Sequence, residues 1–215
     1  MEKNYPQDAM RDLVSTDPDK AARAADALYA MPDAAETFAE PRAGEAAAKS
    51  VAQNNRTAAA VLLLGYSPAG SPVLKQLLRE HGAEPVKLKA WSRTVPLSVA
   101  ALAALSRLGD GDARLRLLAE IPQYDDKVRV FLLDILPYID SSEVWHALSE
   151  CLHDTREIPE GVPSGAARRR LCDYAVDAFV NRLALRISFA QKPGGRYGVE
   201  EVEQVLKLLR QNVPR

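Results

Sequence analysis

The side chains able to carry chemistry are few and scattered. The chain has three histidines, His81, His146 and His153. His146 and His153 stand seven residues apart, two helical turns, and the intervening Cys151 does not restore the spacing of a metal site. The run Lys192-Pro193-Gly194-Gly195-Arg196 has the glycines of a phosphate loop. It lacks the Gly-Lys-Ser/Thr ending and a preceding strand, so it reads as a turn with glycines at positive φ. No Gly-x-Ser-x-Gly elbow occurs, and spacing gives no Ser-His-Asp set. No catalytic residue, no metal and no cofactor is therefore expected.

Recognition has better candidates. Trp91 is flanked by Lys87, Lys89 and Arg93. Tryptophan beside cations is common at binding hot spots. The competing reading folds Trp91 down as the anchor of a long loop. Arg168-Arg169-Arg170 is the strongest local positive charge. It can meet phosphate or an acidic partner. Alternatively it begins a long helix and pairs with carboxylates such as Asp173, although a helix dipole disfavours cations at that end.

These residues must be positioned by helices, and the helices repeat. Leu97 to Glu120 reads LSVAALAALSRLGDGDARLRLLAE, and Lys127 to Glu150 reads KVRVFLLDILPYIDSSEVWHALSE. Leu102 falls on Leu132, Leu105 on Ile135, Asp110 on Asp140, Leu118 on Leu148 and Glu120 on Glu150, without a gap. Each copy is an apolar helix, a short turn and an amphipathic helix. Self-similarity at a period of thirty residues is the mark of a solenoid. Pro72 to His81, with Ser71 as its cap, is an earlier copy of the second helix, with Leu77, Leu78 and Glu80 falling on Leu117, Leu118 and Glu120. Its offset is forty residues rather than thirty, because of an insertion near Gly82 to Thr94. Gln76, Arg116 and His146 are then equivalent, and Glu80, Glu120 and Glu150 lie one turn further on the same face. Stacked copies predict a polar strip with a ladder of carboxylates, suited to a basic peptide or protein loop. An ordinary solvated face gives the same pattern.

The remaining elements read as helix almost throughout. Asp17-Pro18 opens a helix to Ala30, and Pro6 to Val14 is a short one before it. An Ala-rich stretch to Gln53 supplies close-packing helices, and Thr57 to Leu64 another. Val128 to Ile139 reads as one helix, as do Glu143 to Leu152, Ala166 to Leu185 and Val199 to Gln211. Strand-like alternation is confined to Arg186 to Phe189. Trp145 aligns with Leu115 and is expected at the edge of the core. Cys151 and Cys172 sit among apolar neighbours and read as free core thiols, a disulfide between neighbouring helices being the alternative. The formal net charge of -1 gives no general attraction to nucleic acid or anionic membrane. No apolar run reaches the ~20 residues that span a bilayer. The N-terminus has no apolar signal region, so a cytoplasmic protein is expected.

Arg107-Leu108-Gly109-Asp110 followed by Ala113 and Leu117-Leu118 resembles HEAT and HEAT-like repeats, including the short repeats of phycobilisome lyases. Asp126-Lys127-Val128-Arg129 is similar to the family's D-x-V-R opening, in which Asp and Arg tie neighbouring repeats together. Ala166 to Phe179 resembles a degenerate first helix. The likeness is clearest from about residue 55 to 185. It implies an all-α fold: a right-handed α-solenoid of about four to five helical hairpins with atypical terminal helices, in a single domain over 1–215. Ala-rich helices would fill 1–54, core repeats 55–185, and a turn with a capping helix 186–215. It also implies a non-catalytic scaffold that binds a protein or peptide on its second helices; the oligomeric state is left open with a monomer favoured, and charge and hydropathy give no nucleic-acid or membrane partner. The residues for that surface are Gln76, Arg116, His146, Glu80, Glu120, Glu150 and Trp91. The metal-binding HEAT hydroxylases carry His-Glu pairs, whereas His81 precedes Gly82 and His146 precedes Ala147. Two other readings stand beside this one. One is a HEAT-like enzyme or nucleic-acid processor such as the alkylpurine glycosylases, against which the recurring carboxylates speak. The other is a toxin-neutralising or regulatory helical protein, supported by fold analogy alone.

Overall fold

The computed structural model describes residues 5–53, 55–87, 94–158 and 168–212. Among them the chain is all-α apart from one short hairpin. Its contacts divide it into two compact units, Met1–Arg116 and Leu117–Arg215.

The first unit begins with α1 (Tyr5–Leu13), α2 (Pro18–Tyr29), α3 (Ala34–Ala39) and α4 (Pro41–Ala52). Asp17 starts α2 by accepting from the backbone of Asp19 and Lys20 at 3.0 and 3.2 Å, with Pro18 pre-set for the first turn. Then come α5 (Ala58–Leu63) and α6 (Gly70–His81). Thr57 caps α5 through the Ala60 amide. All six residues of α5 are buried, as are Leu97 and Val99 to Ser106 of α7 (Leu97–Arg107). These two apolar helices pack together as the centre of the unit, with α2 and α4 against α5 and α6 against α7.

Two local expectations change here. The sequence places a Ser71 cap before α6, but the helix begins at Gly70 with no side-chain cap. A Cβ on Gly70 would sit 2.1 Å from the Leu64 carbonyl oxygen, so the turn needs glycine at that close approach. The insertion after α6 holds a strand pair that the sequence reading did not predict, β1 (Pro85–Lys87) and β2 (Thr94–Pro96). They run antiparallel with Val86 opposite Val95, both buried.

A Schellman motif closes α7. The Gly109 amide donates to Ser106 and the Asp110 amide to Leu105, with Gly109 at φ 83°. Next comes α8 (Gly111–Glu120), within which the division between the units falls.

The second unit holds α9 (Asp126–Asp134), α10 (Leu136–Ile139), α11 (Ser142–Ser149), α12 (Leu171–Arg182) and α13 (Val199–Asn212). The expected continuous helix from Val128 to Ile139 divides at Ile135. Pro137 has no amide to donate to the Leu133 carbonyl, and its ring crowds that turn. Asp140 then leaves α10 in the left-handed region at φ 45°. The second helix of each copy runs on into a 3-10 turn, Ile121–Gln123 after α8 and Glu150–His153 after α11. Phe131, Leu132, Val176 and Phe179 belong to the core, where α9 packs on α12. α11 packs against α9, and α13 against α12.

The start of α12 corrects another expectation. The described residues Arg168 to Arg170 precede the helix, which begins at Leu171. Asp173 sits in its first turn and accepts from the Arg170 amide at 2.7 Å, so an anion, not a cation, occupies the dipole's positive end. The chain on either side of 159–167 is paired: Ile158 donates to Arg169, Leu171 to Arg156 and Cys172 to Asp154, at 2.8, 3.2 and 2.9 Å. Arg186 to Phe189 forms no strand. Its Ile187 and Phe189 are only half-buried, and Phe189 meets the Tyr197 ring edge-on at 5.7 Å. Among the described residues no helix is long and apolar enough to cross a membrane.

Candidate functional site

The residues of the predicted strip are shared between the two units, Gln76, Glu80 and Arg116 in the first and Glu120, His146 and Glu150 in the second. On α6, Gln76 donates to Glu80 at 3.2 Å, and both are exposed. His81 beside them faces Glu84 at 2.8 Å, and Arg56 reaches the same carboxylate at 2.9 Å. The hydrogen bond from Arg56, then that from His81, holds the Glu84 carboxyl below its ordinary pKa. Gln76 and Glu80 therefore join an internally bonded polar surface of the first unit. Arg116 is exposed on α8, at the end of that unit. In the second unit, Glu120 accepts a 2.6 Å hydrogen bond from the Tyr124 hydroxyl. Trp91 lies outside the described residues.

His146 and Glu150 are brought together with further groups. Ser141 starts α11 by accepting from the Val144 amide. Val144 and Leu148 then face inward, leaving His146 and Glu150 exposed. The 3-10 turn adds His153, which is also exposed. These three, with Trp145 and Ser149, form one wall of a cleft of about 140 Å³. Leu206, Leu209 and Arg210 of α13 form the other wall. A second cleft of about 220 Å³ shares His153 and Leu206 with the first and extends toward Val199, Val202 and Glu203. Val199 is 72% exposed.

Trp145 is half-buried, and its indole N–H donates to the Leu136 carbonyl at 3.1 Å. Its repeat equivalent Leu115 is 66% exposed. Equivalence in the alignment therefore does not carry equal burial at this position.

The cleft depends on how α13 is held. Tyr197, 2% exposed, lies just before it. The Tyr197 amide donates to Asp173 at 2.9 Å and its hydroxyl to Asp177 at 2.5 Å, while its carbonyl accepts from Arg170. Burial and the bond to Asp177 push its phenol up to about 12. Arg169 pairs with Asp177 and lies 3.9 Å from the Tyr174 ring centre. Glu201 accepts from Lys192 at 2.7 Å and from the Gly198 amide at 2.6 Å, which ties the preceding turn to the first turn of α13. Arg169 and Arg170 are thus committed inside the fold, whereas Arg168 is exposed.

Both cysteines are buried and free. Burial pushes the Cys151 thiol up to about 12 and raises that of Cys172, which keeps both protonated and poor as nucleophiles. Among the described residues no group of three or more His, Cys, Asp or Glu side chains is arranged to hold a metal ion.

Sequence reasoning found the α11 half of the cleft through His146 and Glu150. It missed His153, Leu206, Leu209 and Arg210. The last helix was read from the sequence as Val199 to Gln211, but not the helix it faces. Compared with protein-family models, curated proteins and solved structures, the chain matches none.

Proposed function

We propose that this protein is a non-catalytic interaction module, a right-handed α-solenoid of HEAT-like hairpins that takes a partner's peptide segment between α11 and α13. The repeat supports the solenoid reading: in both copies the second helix ends in a 3-10 turn. A charge pair between Asp126 and Arg156, thirty residues apart at 3.0 Å, also supports it. Arg129 and Asp154 approach at 3.7 Å beside that pair. Asp126 and Arg129 are the residues to which the resemblance assigns the tie between repeats.

The observation that carries the binding reading is the pair of joined clefts along α13. Leu206, Leu209 and half-buried Trp145 offer apolar contact, and exposed Glu150 offers a carboxylate. The matching segment carries a large apolar side chain beside a lysine or arginine. Selection from a random peptide library displayed on phage tests this. Enriched peptides are expected to share that pattern and to shift amide resonances of α11 and α13. Leu206→Arg and Glu150→Lys are each expected to weaken them at least about tenfold. Peptides indifferent to both substitutions would overturn the site. Tight, salt-sensitive binding of DNA in its place would overturn the interaction-module reading.

A further inference from the structure

The polar groups of the cleft have an order of their own. His146 and Glu150 are one turn apart on one face of α11 and its extension. Glu150 and His153 bound the 3-10 turn, where side chains three apart eclipse. Glu150 is thus bracketed by two imidazoles, and all three side chains line the cleft. From α13, Arg210 is the one charged side chain among the described residues of that lining. The adjoining cleft adds Glu203 and Arg170, the latter paired with Asp173 at 2.8 Å. α9 and the turn at Ile121–Gln123 also pack on α11, and α12 packs on the turn at Glu150–His153, but none of their described charged side chains lines the cleft.

Imidazole is the side chain that ordinarily changes charge between about pH 5 and 8. With both imidazoles neutral, Glu150 presents its carboxylate to a basic group, and Arg210 is the one cation among the described residues of the lining. With both protonated, three cations surround one carboxylate. From this arrangement we propose that the cleft is a pH-gated site, which holds a basic, apolar segment near neutrality and releases it in mild acid. The inference rests on the partner reading above. Glu150 supplies the charge complementarity to such a segment, and the two imidazoles withdraw it when protonated.

The test uses the full chain and the tightest histidine-free peptide from the phage selection, made synthetically. Calorimetry from about pH 7.5 to about pH 5.5 is expected to show affinity falling roughly three- to tenfold, an effect that added salt reduces. The double variant His146→Gln, His153→Gln is expected to lose most of that dependence, with circular dichroism confirming its fold. A wild-type affinity that stays flat with pH overturns the gate and leaves the binding site intact. So does an equal fall in the double variant. If no selected peptide is sensitive to Leu206→Arg, the binding reading fails and the gate fails with it.

Discussion

Asp173 is fully buried yet charged. Burial raises its pKa, but hydrogen bonds from Arg170 and from the Tyr197 amide outweigh that and hold it below the ordinary 3.8. Asp173→Asn removes one partner of a buried pair and is expected to cost about 3 kcal/mol in urea unfolding. A depressed folded pKa contributes stability that is present above the unfolded value and lost as pH falls through the folded one. The variant's stability is therefore expected to depend less on pH below about 4 than the wild type's. Ala184 presents a different residue-scale case. It follows α12 at φ 47°, and the Leu185 amide donates to Val180, the pattern of a Schellman motif without glycine. Ala184→Gly is expected to stabilise by about 0.5–1 kcal/mol, seen as a raised thermal midpoint. Nothing in an alanine announces this conformation in a sequence, whereas Gly109 announced its own.

At the scale of elements, Asp110 joins two helices. It caps α8 through the Ala113 amide at 3.0 Å and pairs with Lys75 of α6 at 2.8 Å. Lys75, then the Ala113 amide, lowers its pKa. Asp110→Asn keeps the cap and loses the partly exposed ion pair, an expected cost below about 1 kcal/mol. Asp110→Ala also loses the cap and is expected to cost about 1 kcal/mol more, measurable by chemical denaturation. Caps of this kind were legible: Asp17 marked the start of α2 from sequence alone. The apolar α7 was legible because its pattern has no polar side. The division at Ile135 was legible only in part, since Pro137 was visible but the aligned copy carries Arg107 there and continues as helix. The strand pair was missed because three residues a side are too few for alternation to register. The cleft was half legible for a comparable reason: helical periodicity tells which face of α13 is apolar, and tertiary packing decides what meets it.

For the molecule as a whole, lowered carboxylates recur in both units. Asp12, Glu84 and Asp110 lie in the first, and Asp154, Asp173 and Glu201 in the second. Each contributes stability above its unfolded pKa and loses it as pH falls through the depressed value. Thermal midpoints are expected to fall by roughly 5–10 °C between about pH 6 and about pH 3, with little change between about pH 6 and 8 from these groups. A midpoint unchanged at the acid end would contradict that picture. The paired chain on either side of 159–167 has a consequence of another sort. Ile158 and Arg169 are bonded across the mouth of that segment, and Arg196 reinforces it through Glu157 and the Arg168 carbonyl. Arg196 makes that stem a buckle: one guanidinium fastens the chain before residue 159, the chain after residue 167 and the turn before α13 at a single place.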